Sequence, residues 1–241
     1  MDRRIYLSMS GAKATMQRQD VLANNLANVS TNGFREELQS FRAVPVRGDG
    51  ASTRAYALET STGYNPASGH VVATGRSLDV AAKGNAWLAV QSPDGTEAYT
   101  RAGSLDVNAE GTLVTRTGLT VVGGGGPISV PPNAEVSIAS DGTVSAGVPG
   151  GASAPIGKLK LVTPEAPLQR GEDGLFRATS GDLDADPAAQ VQDNALENSN
   201  VSAVSTMVAM IAAARQFESQ MKSVQTAEKD EQQAQQLLSV G

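Results

Sequence analysis

The residue types that perform covalent or metal chemistry are nearly absent from this sequence. Its 241 residues include no cysteine and a single histidine, His70. Thiolate nucleophiles, disulfides and thiolate metal sites are therefore excluded. A multi-histidine metal centre is excluded too, and any Ser-His triad would depend on His70. That residue lies between Gly69 and Val71 and reads as a loop histidine. Asp182, Asp184 and Asp186 have the alternate spacing of a calcium loop, with Asp193 at the twelfth position. Pro187 stands where such a loop needs glycine, and the twelfth position lacks the bidentate glutamate. The stretch reads as a solvated acidic loop. Residues 151–158 imitate a phosphate loop, but the glycine spacing is one residue too long and Leu159 replaces the Ser or Thr that would meet magnesium. Gly123 to Gly126, followed by Pro127, lacks the helix a nucleotide loop requires and reads as a bend or link. Asn28-Val29-Ser30 and Asn200-Val201-Ser202 match glycan acceptors, yet both lie in helical stretches that a glycan would keep from packing. No acid pair, nucleophile or metal-ligand set converges, so the expectation is a protein that is not an enzyme and holds no cofactor or metal.

The informative residues are apolar and periodic. From Val201 to Leu238 there is neither glycine nor proline. Met207, Met210, Ala214, Phe217, Met221 and Val224 step by three and four, the spacing with which one helix lays a stripe against another. Val201, Val204, Val208 and Ile211 form a second stripe beside the first. At 1.5 Å per residue the helix would be roughly 57 Å long. One helix with two stripes needs two neighbours, some of them from other chains. At the other end, Ile5, Met9, Ala12 and Met16, then Leu22, Leu26 and Val29, mark a first helix over residues 3–29, interrupted only by Gly11. Such ends are too weakly apolar to stand alone in water. Asn24, Asn25 and Asn28 are poor choices for helix stability, because asparagine competes with its own backbone. Their amides are expected to fix register between packed helices. Asn32-Gly33 reads as a C-cap, and Ser199, Asn200 and Ser202 are candidate N-caps for the last helix.

Between the ends the period changes. Residues 36–75 carry scattered Pro45, Gly48, Gly50, Gly63, Pro66 and Gly69 and read as an irregular arm. From residue 76 the period is two. Leu105 and Val107 alternate with polar neighbours, and turn signals recur at Pro93-Asp94-Gly95 and Ser140-Asp141-Gly142. Short strands at that rhythm indicate an antiparallel β domain with Trp87 in its core. The expected organisation is α+β: an N-terminal helical segment over residues 1–35, an extended arm over 36–75, a central antiparallel β domain over 76–195 and a C-terminal helix over 196–241. The two terminal helices pair as a coiled-coil-like segment.

The net charge is −6, which argues against non-specific nucleic-acid binding. No apolar run reaches the length of a membrane span, and the N-terminus does not read as a cleavable secretory signal.

Four separate stretches, in three regions of the chain, resemble one family. NNLANVSTNGFR, residues 24–35, is similar to the N-terminal signature of the bacterial flagellar rod and hook family of axial proteins. LENSNVSAVSTMVAMIAAARQFESQMK, residues 196–222, resembles that family's closing helix. GRSLDVAAKGNAWLAV, residues 75–90, and AYTRAGSLDVNAEGTLVT, residues 98–115, resemble its central domain. Within the family, the opening MDRRIYLSMSGAKATMQRQ and Arg215-Gln216-Phe217-Glu218 resemble a proximal rod member more than a distal one.

The resemblance implies a structural subunit that polymerises helically into a hollow shaft. It also implies a place in the basal body, in the rod that crosses the periplasm, reached through the flagellar type III export apparatus without a cleaved signal peptide. The implied partners are further copies of the chain, the adjacent proximal and distal rod proteins, the rod cap and the export apparatus, with no nucleic acid and no membrane insertion. The expected assembly interface is Asn24, Asn25, Leu26 and Asn28 on the first helix, and Val204, Met207, Met210, Ile211, Phe217, Met221 and Val224 on the last. Leu26, Met210, Phe217, Met221 and Val224 are expected to supply its buried contact. Two alternatives remain at this stage: a distal rod or hook protein of the same family, or a secreted binding module on a coiled-coil stalk.

Overall fold

The computed structural model describes residues 2–45, 55–148 and 151–239. Gly48 and Gly50, counted above toward an arm, lie outside them. The chain forms two compact units, and each takes segments from distant parts of the sequence.

The first unit contains Met1–Val29, Glu36–Asn65 and Val201–Gly241. Its elements are helix α1 (Asp2–Ala27), strand β1 (Glu37–Pro45), strand β2 (Ala55–Tyr64) and helix α2 (Ala203–Ser239). α2 is 37 residues long, about 55 Å at the helical rise. Ser202 caps it: the Ser205 N–H donates to Ser202 Oγ at 3.4 Å and the Thr206 N–H to the Ser202 carbonyl at 2.9 Å. Of the three cap candidates, Asn200 instead sends its amide to the Ala67 carbonyl.

Residues 37–64 are not the irregular arm that their glycines and prolines suggest. β1 and β2 pair antiparallel from Glu37 opposite Tyr64 to Pro45 opposite Ala55. The register shifts between Ser40, opposite Ser61, and Phe41, opposite Glu59, so the extra residue, Thr60, lies in β2. A bulge of this kind breaks the period of two in β2, and along β1 the alternation of half-buried and exposed residues slips between Arg42 and Ala43, so neither strand shows strict alternation. A two-stranded ribbon is marginal by itself; this one packs on α1.

The second unit contains Ser30–Arg35 and Pro66–Asn200, and so extends beyond residues 76–195 at both ends. Strands β3 (Val71–Ala73), β4 (Val80–Ala82), β5 (Trp87–Gln91) and β6 (Glu97–Thr100) open it. β5 and β6 lie in a five-stranded antiparallel sheet, with Leu161–Val162 outside β5 and Phe176–Arg177 then Gln169–Arg170 outside β6. Strands Val191–Asp193 and Ala195–Glu197 return from the far end of the unit to pair with β4 and β3. Val80, Leu88, Leu105, Leu113, Val121, Val144, Leu161 and Val191 form the core. Trp87 is buried, as its strand position suggested, with its ring 4.7 Å from that of Phe176. Gly123 and Gly126 face each other across a tight two-stranded bend.

Gly33 does not cap α1, which ends six residues earlier at Ala27. It has φ +70°, and a Cβ there would lie 2.2 Å from the Arg101 carbonyl carbon. Glycine is required because two backbones meet at this point in a left-handed conformation.

A surface cluster in this unit sets an acid response. Asp173 accepts from the Arg177 guanidinium at 2.7 Å and 3.1 Å, from Ser92 Oγ at 3.1 Å and from the Leu175 N–H at 3.1 Å. Arg177 above all holds its carboxyl down at about 2. The folded value lies below the unfolded one, so the stabilisation is full above about pH 4 and is lost as pH falls toward 2. With its side chain 30% exposed, Asp173→Asn is expected to cost about 1 kcal/mol at pH 7 after solvent screening. The variant and the parent should converge in acid melts near pH 2.

Candidate assembly interface

α1 and α2 run antiparallel: Gly11 faces the Gln220 side chain, and Thr15 shares a small cavity with Gln216. Along α2 the buried and half-buried positions include Ala203, Thr206, Met210, Ala213, Phe217, Gln220, Val224 and Ala227, an unbroken run of threes and fours. Along α1 they include Ile5, Ser8, Ala12, Thr15, Gln19, Leu22 and Leu26, with the same steps. These are heptad stripes, but they are not the stripes marked by the largest apolar residues. Met210, Phe217 and Val224 lie on the inward stripe of α2, and Leu26 lies on that of α1. Met207 and Met221 do not: they are 49% and 38% exposed. Met9 and Met16 on α1 are exposed as well. Small residues let two helix backbones approach closely, and Gly11, Ala12, Thr15, Thr206 and Ala213 supply that approach here. Met9, Met16, Met207 and Met221 turn outward.

The outward surface is consequently apolar. On α1, Tyr6, Met9 and Met16 share an exposed stripe with Lys13 and Asp20. On α2, Val204, Met207, Val208 and Ile211 form an exposed patch with no charged residue between Val201 and Ala214. Isolated exposed apolar residues are ordinary, but a contiguous group on one helix is a candidate contact surface. The second stripe expected from the sequence, Val204, Val208 and Ile211, is open in this unit, while its first residue, Val201, is buried.

The asparagines act differently from expectation. Asn25 is buried, and its amide donates to the Glu37 carbonyl at 2.9 Å while accepting from the Glu37 N–H at 2.8 Å. It copies a strand's hydrogen-bonding edge and pins the start of β1 to α1, not one helix to the other. Asn28, just past the end of α1, donates to the Asn24 carbonyl at 2.9 Å, and Asn24 is exposed. Asn25→Ala removes both Asn25 hydrogen bonds from the half-buried start of β1, a loss of about 1–3 kcal/mol. Hydrogen exchange should show faster exchange at β1 amides with little change in the β5–β6 sheet.

The segments that leave and enter the helices are held by a charge cluster with no local signature in the sequence. Glu197 is fully buried. Its Oε1 accepts from Arg35 at 2.7 Å and from the Gly69 N–H at 2.9 Å, and its Oε2 accepts from Arg101 at 2.6 and 2.8 Å. Two guanidiniums share one carboxylate, which leaves an excess positive charge in the interior. Arg101 sends its remaining donors to the carbonyls of Ala82, Gly84 and Ala86, and Arg35 donates to that of Ala67. Both guanidinium carbons lie 5.9 Å from the Trp87 ring centroid, a favourable place for a desolvated cation. Burial pulls the Arg101 guanidinium below its ordinary value, and Glu197 opposes the shift. The Gly33 N–H donates to the Glu197 carbonyl at 2.7 Å, and the Asn200 N–H to that of Phe34 at 3.3 Å. The Arg170 guanidinium stacks 4.6 Å from the Phe34 ring.

Asp186 accepts from Thr163 Oγ1 and from the Ala188 N–H, and His70 is exposed. Among the described residues no group of three or more histidines or carboxylates is placed to hold a metal. Among them, no helix is long and apolar enough to cross a membrane.

Comparison with known proteins connects this geometry to a family. Residues 5–35 match the flagella basal body rod protein model, residues 81–146 the flagellar hook protein FlgE/F/G D1 domain and residues 192–237 the flagellar basal body rod FlgEFG protein C-terminal model. The flagellar basal-body rod protein FlgF of Escherichia coli is 47% identical over the full length of both chains, and that of Salmonella typhimurium 45%. The flagellar basal-body rod protein FlgG of Bacillus subtilis is 32% identical over 95% of this chain and 96% of its own. An end-to-end match of that strength, with its helical ends and β middle in the same order, means that this chain belongs to the family of flagellar basal-body rod proteins, structural subunits of the rod.

Proposed function

We propose that the chain acts as a subunit of the proximal rod, polymerising helically with copies of itself and joining the neighbouring proximal and distal rod proteins. The observation that carries this reading is the distribution of apolar bulk on the helix pair. Small residues are interspersed with Leu26, Met210, Phe217 and Val224 along the inward stripes, while Met9, Met16, Val204, Met207, Val208 and Ile211 are left outward. A helix pair arranged this way is satisfied internally and still offers a surface that only neighbours can cover. The expected interface residues divide accordingly. Val204, Met207, Ile211 and Met221 meet neighbouring subunits. Leu26, Met210, Phe217 and Val224 hold the pair, and Asn25, with Asn24 and Asn28 in the same turn, holds the hairpin to it.

The rod cap and the type III export apparatus are transient partners in this proposal, and the working location is the rod where it crosses the periplasm. Identities of 47% and 45% to two FlgF relatives, against 32% to the Bacillus subtilis FlgG, favour the proximal over the distal position.

Electron microscopy of isolated basal bodies tests the position. An epitope inserted between Gly124 and Gly125 should be labelled at the membrane-proximal part of the rod. Label on the distal rod or hook would replace the assignment, and discrete soluble dimers or trimers in place of rod-bound protein would sink it.

A further inference from the structure

We infer that the β unit cannot close until its own last strand arrives, because Glu197 is the counter-charge that allows Arg35 and Arg101 to be buried together. The inference is independent of the rod reading. Arg35 enters from the N-terminal side of the unit and Arg101 from its middle, 162 and 96 positions from Glu197. All three side chains are almost fully buried, with at most 2% of their surface exposed. Before Glu197 is in place, closing the unit would bring two guanidiniums into a dry interior with carbonyls and one indole ring as their only compensation. Buried like charges without a counter-ion are strongly unfavourable.

The backbone repeats the requirement. Strand Ala195–Glu197 completes β3, and Val191–Asp193 completes β4. Gly33 and His70 hydrogen bond to the backbone of Glu197 and Asn198. The first and last segments of the unit are therefore partners of each other, a topology whose contacts form only after most of the chain is available. A chain that emerges N-terminus first, from a ribosome or a pore, keeps this unit open until residue 197 of 241 is out. The device is a delay built into the fold: a late carboxylate releases closure of an early and a middle arginine.

Pulse-labelled hydrogen exchange during refolding of the unaltered full chain reads the order directly. Amides of β5 and β6 should gain protection in the same phase as those of Gly33, Gly69 and Ala195. Protection of the β5–β6 sheet in an earlier phase of its own overturns the inference. As a second measurement, Glu197→Gln in the full chain should reduce equilibrium protection of the β5 amides about 100-fold or more, against less than about threefold for the exposed neighbour Asp193→Asn. Equal small effects of the two would overturn it as well. If Glu197→Gln does not fold at all, the order of protection in the unaltered chain still decides.

Discussion

Glu197→Ala is expected to destabilise the β unit by about 3–5 kcal/mol at neutral pH, the usual cost of leaving a buried charge without its partner. For a unit of this size that is a fall of roughly 10 °C or more in its melting midpoint. The loss is larger than that of a comparable surface ion pair, because the carboxylate serves two guanidiniums at once and neither has a route to water. Trp87 reports it: the sequence contains one tryptophan, buried against Phe176 and flanked by both arginines. Its fluorescence therefore follows this unit and no other part of the chain. A change below about 1 kcal/mol would mean that the arginines find other compensation.

A companion variant separates two meanings of the cluster. Replacing all three residues, Arg35→Met with Arg101→Met and Glu197→Leu, removes the charges together and leaves apolar groups of similar bulk. Buried ion clusters exchanged in this way are often neutral or gain stability. A triple variant that melts near the parent would show the cluster to be a device for order and specificity of closure. A triple variant as weak as Glu197→Ala would show that the hydrogen bonds to Ala67, Ala82, Gly84 and Ala86 are needed in their own right.

How far the sequence reveals this arrangement depends on how local each signal is. The two helices are legible because period and absence of breakers are properties of contiguous residues. The β middle is legible because its turns carry Asp-Gly chemistry, as at Asp94-Gly95 and Asp141-Gly142. The hairpin of β1 and β2 is not, because the extra residue Thr60 in β2 and the slip at Arg42 and Ala43 in β1 break the alternation that would disclose it. The inward helix stripes coincide with the expected ones at Met210, Phe217, Val224 and Leu26, and depart from them by one position where Thr206, Ala213 and Gln220 replace Met207, Ala214 and Met221. A heptad search rewards bulk, whereas the close approach of this pair also uses glycine, alanine, serine and threonine. The charge cluster has no local trace. Its three members lie far apart in the chain, and the one available hint is that Arg101, in Ala98-Tyr99-Thr100-Arg101-Ala102-Gly103, is a charged residue set among strand residues with no charged neighbour closer than Glu97.

The outward surface of α2 supplies the other large effect. Val208 and Ile211 are 62% and 56% exposed, so replacing both with aspartate removes almost nothing from the lone subunit. Its stability should stay within about 0.5 kcal/mol for each change, as for other surface substitutions. In a packed tube the same side chains would be covered by neighbours. Burying each contributes about 1.5–3 kcal/mol, and a carboxylate in its place must also be desolvated. Loss of both should weaken subunit association by at least 100-fold and abolish motility, with the protein still exported and folded. Ala213→Asp is the informative contrast, because Ala213 lies on the inward stripe and is 2% exposed. It should disrupt the helix pair in the isolated chain, visible as lost helical circular dichroism with Trp87 fluorescence unchanged. Normal swimming by the Val208→Asp, Ile211→Asp strain would mean that the apolar patch faces solvent in the rod as it does in the monomer, and that subunits are joined through another surface.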